Sequence, residues 1–138
     1  MEKIMIKIKS EQINEYGEKD TMEFISEGKL YTKNNNIYLT YEESEITGME
    51  NTTTTIKIQN NEVVIKRFGK NNSTMVFDKY KKYISKYETA QGNFNMEIIT
   101  GDINIDIKEE NKIKIYINYQ IRIDGLFEGN NTININVN

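Results

Sequence analysis

The chain has no cysteine, no histidine, no proline and no tryptophan, and the first two absences each remove a class of chemistry. Without cysteine there is no disulfide, no thiolate metal site and no thiol nucleophile. Without histidine the commonest metal ligand and the usual general base near neutral pH are gone. Positive charge is also nowhere concentrated: 18 Lys and Arg are interspersed with 21 Asp and Glu, for a net charge of −3, so the basic patch that tracks a phosphate backbone is missing. No apolar run approaches the roughly 20 residues that span a bilayer, and residues 1–10 alternate lysine with isoleucine where a secretion signal would carry a continuous apolar stretch. The expectation is a cytoplasmic, non-enzymatic protein with no metal, no cofactor, and no nucleic-acid or membrane partner.

What the chain has in quantity is alternation. Ile113, Ile115, Ile117, Tyr119, Ile121 and Ile123 interleave with Lys112, Lys114, Tyr116, Asn118, Gln120 and Arg122, the period of a strand with one dry and one wet face. Turn chemistry cuts the rest into similar segments: Asn34-Asn35-Asn36, Asn60-Asn61, Gln91-Gly92, Glu109-Glu110-Asn111 and the glycines at 48, 69, 125 and 129. Asn tolerates the left-handed conformation of tight hairpins, so Asn pairs stand in for Asn-Gly. The spacing predicts strands at 3–12, 20–33, 36–46, 52–59, 62–68, 73–78, 81–90, 93–108, 112–124 and 127–137. A length of 138 residues fits one domain. Strands joined mostly by short hairpins form a meander. A meander of this size either stacks as a sandwich or closes into an antiparallel barrel of about eight to ten strands, and closure removes the exposed edges. Within 93–108 the apolar set changes parity, from Phe94, Met96 and Ile98 to Ile99, Ile103, Ile105 and Ile107, which a bulge near Ile98-Ile99 or a bend at Gly101 would produce.

Parity also selects candidate residues for the interior. If Ile37, Leu39 and Tyr41 face inward, Glu43 follows them near the rim, and Arg67 follows Ile65 on a nearby strand. Such a pair would orient a polar ligand, since Arg presents a planar fork to an acceptor, or else form a structural ion pair or two solvated rim charges. Tyr41, Tyr87 and Tyr119 combine an apolar ring with a hydroxyl, as the anchors of apolar pockets do, although core filling uses the same residues. Catalysis finds no support. The threonines at 52–55 lack an activating base, neighbouring Glu42 and Glu43 point to opposite faces, and Glu43 with Glu45 is the one same-face acidic pair in that cluster.

Several stretches taken together look familiar: Tyr38-Leu39-Thr40-Tyr41-Glu42-Glu43-Ser44 with Thr47-Gly48-Met49, then Thr53-Thr54-Thr55 leading to Ile56-Lys57-Ile58, Arg67-Phe68-Gly69 with Met75-Val76-Phe77, and Tyr87-Glu88-Thr89-Ala90-Gln91-Gly92. Over nearly its whole length the chain resembles the DUF1934 family of bacterial proteins from Firmicutes. The resemblance implies a calycin-like barrel, related in shape to lipocalins and fatty-acid-binding proteins, and names no activity. The chain departs from lipocalins in having no Trp, and it lacks an Arg-x-Tyr carboxylate clamp, because Arg122 shares the wet face with Lys112 and Lys114. The leading functional expectation is a small, partly apolar ligand held in the lumen by Tyr41, Glu43, Arg67, Tyr87 and Tyr119. The alternative is an interaction or homodimerising module that uses the off-parity Tyr31, Tyr38 and Tyr116 together with Phe127.

Overall fold

The computed structural model describes residues 1–138 and contains ten strands: β1 (Glu2–Asn14), β2 (Lys19–Lys33), β3 (Asn36–Glu42), β4 (Thr52–Gln59), β5 (Glu62–Gly69), β6 (Ser73–Asp78), β7 (Lys82–Thr89), β8 (Gly92–Glu109), β9 (Lys112–Ile123) and β10 (Phe127–Val137). All pair antiparallel in one sheet of order β6-β5-β4-β3-β2-β1-β10-β9-β8-β7. Each strand is laddered to its sequence neighbours except between β6 and β7. The first and last strands pair with each other, and β6 and β7 form the two ends of the sheet. The sheet curls until those ends meet, giving a nearly closed barrel. At the seam Asn72 and Glu88 exchange backbone hydrogen bonds of 2.9 and 2.8 Å, and Ser85 Oγ donates to the Thr74 carbonyl at 2.9 Å.

Local sequence explains the turns. Asn34 and Asn35 sit between the paired residues Lys33 and Asn36, both with left-handed φ of 53° and 65°, the conformation that a two-residue hairpin of matching twist requires. The segment 36–46 does not run as one strand. It leaves the sheet after Glu42, forms a 3₁₀ turn at Glu45–Thr47, and is released by Gly48 at φ 73°. Glu45 is therefore exposed on this turn and shares no face with Glu43, which removes the one same-face acidic pair suggested by the alternation.

The change of parity in β8 falls at Gly101. Register with β9 shifts between Thr100, opposite Tyr119, and Asp102, opposite Asn118. Met96, Ile98 and Thr100 thus point inward before the bulge and Ile103 and Ile105 after it, while Ile99 lies outside, 38% exposed. The inward set of the other strands meets in the interior as one cluster built mainly of isoleucine, each such side chain contributing about 1.5–3 kcal/mol of burial. Phe77 of β6 reaches Tyr119 of β9 edge-on across the interior, ring centroids 4.8 Å apart.

Two glycines test this geometry. A Cβ on Gly129 would run into the carbonyl oxygen of Ile13 and lie 2.9 Å from Asn14 Cα, both backbone atoms of β1, whereas a Cβ on Gly101 meets only the Asn118 carbonyl oxygen at 3.5 Å. Urea unfolding is expected to show Gly129→Ala destabilised by about 2–3 kcal/mol through overpacking and Gly101→Ala by less than about 1 kcal/mol. Equal costs would contradict the close approach of β1 and β10.

Candidate functional site

The hydrogen-bond register stacks inward side chains into rungs that cross the strands. On β3 to β6 the rungs Ile37–Ile58–Val63–Phe77 and Leu39–Ile56–Ile65–Met75 are apolar, and the next, Tyr41–Thr54–Arg67–Ser73, is polar. On the other side of the barrel the rung Thr100–Tyr119–Asn131–Gln12–Asp20 runs through β8, β9, β10, β1 and β2, with Ile117 and Ile133 next to it on β9 and β10. Alternation thus sets polar groups from both halves of the sheet into an otherwise apolar wall. The wall surrounds a cavity of about 370 Å³, open at the end where Gln12 and Asp20 are exposed, lined by 23 residues, 15 of them hydrophobic.

All five residues singled out from the sequence line this cavity: Tyr41, Glu43, Arg67, Tyr87 and Tyr119. Tyr41 and Tyr119 are buried and Tyr87 is half-buried. Glu43 lies one residue beyond the end of β3, yet its N–H still donates to the Thr52 carbonyl at 2.9 Å, which keeps its side chain on the inward side. Only 7% of Glu43 is exposed. The threonines divide by parity, Thr52 and Thr54 inward and fully buried, Thr53 and Thr55 on the outer wall. Arg122 stays outside, where it donates to Glu97 at 2.9 Å.

Sequence reasoning missed Asn131, the inward methionines Met22, Met75 and Met96, and Met49 of the β3–β4 connection, all of which line the cavity. Asn131 shares inward parity with Ile133, Ile135 and Val137, so alternation carried the signal. Met49 lies outside any strand and had none. Of the off-parity aromatics, Tyr31 and Tyr38 stack on each other on the outer wall, centroids 4.9 Å apart and planes within 3°, and Phe127 packs against the core.

The polar groups are close but incompletely paired. Asn131 Nδ2 donates to the Tyr119 hydroxyl at 3.3 Å, while Asn131 Oδ1, both carboxyl oxygens of Glu43, Arg67 Nε, and the hydroxyls of Thr54 and Thr100 are buried with no hydrogen-bond partner. Glu43 is thus no solvated rim charge and closes no ion pair with Arg67, which is itself half-buried with its Nε out of water. Burial pushes the Glu43 carboxyl above the usual carboxylate range, an effect that Arg67 and the nearby Tyr41 and Thr54 hydroxyls only partly offset. Burial likewise raises the Tyr41 and Tyr119 phenols, the charge of Glu43 adding to the effect on Tyr41 and Arg67 pulling both back. On the outer surface the opposite holds, with Lys82 and then Arg122 lowering the Glu97 carboxyl.

Comparison with known proteins agrees with this architecture. The family described as a domain of unknown function (DUF1934) matches residues 6–135. The chain belongs to the DUF1934 family. It is 30% identical over 111 residues to the uncharacterized beta-barrel protein YwiB of Bacillus subtilis (strain 168), covering 80% of this chain and 76% of that protein. The crystal structure of ywiB protein from Bacillus subtilis superposes with a TM-score of 0.81 at 26% identity, covering 97% of this chain and 90% of that one. The relatives of this DUF1934 barrel are thus barrels themselves, and no helix of the chain is long and apolar enough to cross a membrane.

Glu43 provides a stability test. A carboxyl whose pKa is raised on folding holds its proton more tightly in the folded chain, so the folded state loses stability as pH rises from the unfolded value, about 4.3, through the raised one. Glu43→Gln is expected to melt about 3–5 °C above wild type at pH 7.5, the effect of relieving about 1 kcal/mol, with the difference vanishing near pH 4. A variant less stable than wild type at pH 7.5 would mean that attraction to Arg67 outweighs burial.

Proposed function

We propose that this DUF1934 barrel is a non-enzymatic cytoplasmic protein that binds a small, partly apolar ligand in its lumen, with Tyr41, Glu43, Arg67, Tyr87 and Tyr119 as contacts. The observation that carries this reading is the coincidence of a mostly apolar interior space of about 370 Å³ with buried polar atoms of Glu43, Arg67 and Asn131 that have no partner. A protein that only filled its interior would leave neither the space nor the unmet hydrogen bonds, because each such group costs about 1–3 kcal/mol. Small-molecule sites pair apolar walls with a few placed polar groups in this way. The rival reading, an interaction or homodimerising surface, has less support. The most exposed large apolar side chains within strands, Ile25 and Ile84, lie on separate elements, and Tyr31 and Tyr38 cover each other.

Thermal-shift screening against small, partly apolar metabolites tests the proposal. At least one compound is expected to raise the wild-type Tm saturably by several degrees, since a ligand at 100 times its Kd adds about 2.7 kcal/mol. Its affinity should fall about tenfold in Arg67→Ala and in Tyr41→Ala, the loss of one charge-assisted or one aromatic contact. A screen without a saturable binder would overturn the proposal.

A further inference from the structure

We infer that the lumen takes a neutral, planar heteroaromatic ligand whose edge carries a hydrogen-bond donor beside an acceptor, the donor meeting the Glu43 carboxyl and the acceptor meeting Arg67. The inference rests on the lumen being a binding site, as proposed above, and goes on to the chemistry of the occupant.

Three features of the cavity narrow that chemistry. Its unmet needs are of opposite kinds. The Glu43 oxygens accept, Arg67 Nε donates, and neither group satisfies the other. The pairing register sets Arg67 on β5 opposite Thr54 and Glu43, just beyond β3, bonded to Thr52, so β4 and one inward rung separate their backbones while both side chains line the cavity. A group that offers one donor and one acceptor side by side completes both, as the N–H and C=O of a lactam do.

The charges lining the lumen select against ions. The ionisable groups facing it are Asp20, Glu43, Arg67 and the phenols of Tyr41, Tyr87 and Tyr119, and burial keeps Tyr41 and Tyr119 protonated. An anionic head drawn to Arg67 would face the buried Glu43 carboxyl, with the exposed Asp20 at the open end adding to the repulsion. A cationic amine drawn to Glu43 would place its charge near the like charge of Arg67. A neutral edge adds no charge to either group.

The wall chemistry points to a flat π-system. Four thioethers, Met22, Met49, Met75 and Met96, share the lining with the rings of Phe24, Tyr41, Tyr87 and Tyr119. Thioether sulfurs make favourable contacts with ring edges, and aromatic side chains stack on planar ligands. An aliphatic tail in the same space would gain burial alone.

Matched bicyclic probes separate these features at constant size: 2-quinolinone with the neutral donor–acceptor edge, naphthalene with none, 2-naphthoate as anion and 2-naphthylmethylammonium as cation. Each is titrated into the full chain at pH 7.5 and followed by ligand-detected NMR. 2-Quinolinone is expected to bind at least about tenfold tighter than naphthalene through its two added hydrogen bonds to charged groups. That advantage should shrink to within about threefold in Glu43→Ala and in Arg67→Met. An unchanged strand signal in far-UV circular dichroism and a cooperative melt in both variants show that the barrel is intact. If naphthalene binds and 2-quinolinone gains nothing over it, or if the naphthoate or the ammonium probe binds tightest, the proposed ligand chemistry is overturned while lumen binding stands. If none of the four binds, the proposed ligand chemistry is overturned, and the metabolite screen above decides lumen binding separately.

Discussion

The pairing of the first strand with the last is the interaction on which the rest of the structure depends. Every other ladder in the sheet joins strands that follow one another in the chain, and without this one the meander would be two open sheets, β1 to β6 and β7 to β10, with isoleucines exposed on one side. The ladder from Ile6–Val137 to Asn14–Gly129, extended by reciprocal bonds of 3.1 Å between Met5 and Asn138, joins them. Joined, the two inward faces turn toward each other and the interior exists. The contact spans nearly the full sequence, so its loop-closure entropy is the largest in the fold, and it marks the step expected to limit folding. It also explains why β6 and β7, consecutive in the chain, share only a sparse seam. The curvature that β1 and β10 impose brings them together at the far side.

Period-two alternation made most of this legible in the sequence. Strand positions, the inward or outward placement of Tyr41, Arg67, Tyr119 and Arg122, and the two faces of the threonine run all follow from parity. Glu43 is instructive because parity gave the right face although the strand stops one residue before it. A backbone bond to Thr52 carries the register one step further, and the 3₁₀ turn then breaks it, so the same rule fails at Glu45. Parity alone left the β8 bulge ambiguous, since the adjacent Ile98 and Ile99 allow a shift at either place and only the pairing with Tyr119 and Asn118 fixes it at Gly101.

What alternation does not encode is the size of the space inside. Twenty-three isoleucines are enough to fill a small lumen or to wall an open one, and the outcome depends on curvature and on contacts across the barrel such as Phe77 against Tyr119. Contacts of this kind join residues that no ladder relates. The resulting space carries a cost to the empty protein. Buried acceptors and donors without partners are destabilising in a low-dielectric interior, and a ligand that completes them recovers that energy as affinity. On the proposed function, stability given up at Glu43 and Arg67 and binding gained there would be two sides of one arrangement.

The central claim is that this interior is an open site whose acid and base are held apart for a ligand. A crystal structure of the protein purified from its host addresses it most directly. The account predicts a cavity near 370 Å³ in which ligand or ordered water bridges the Glu43 carboxyl and the Arg67 guanidinium. A lumen collapsed onto its isoleucines, with Glu43 and Arg67 closed into a direct salt bridge, would contradict it.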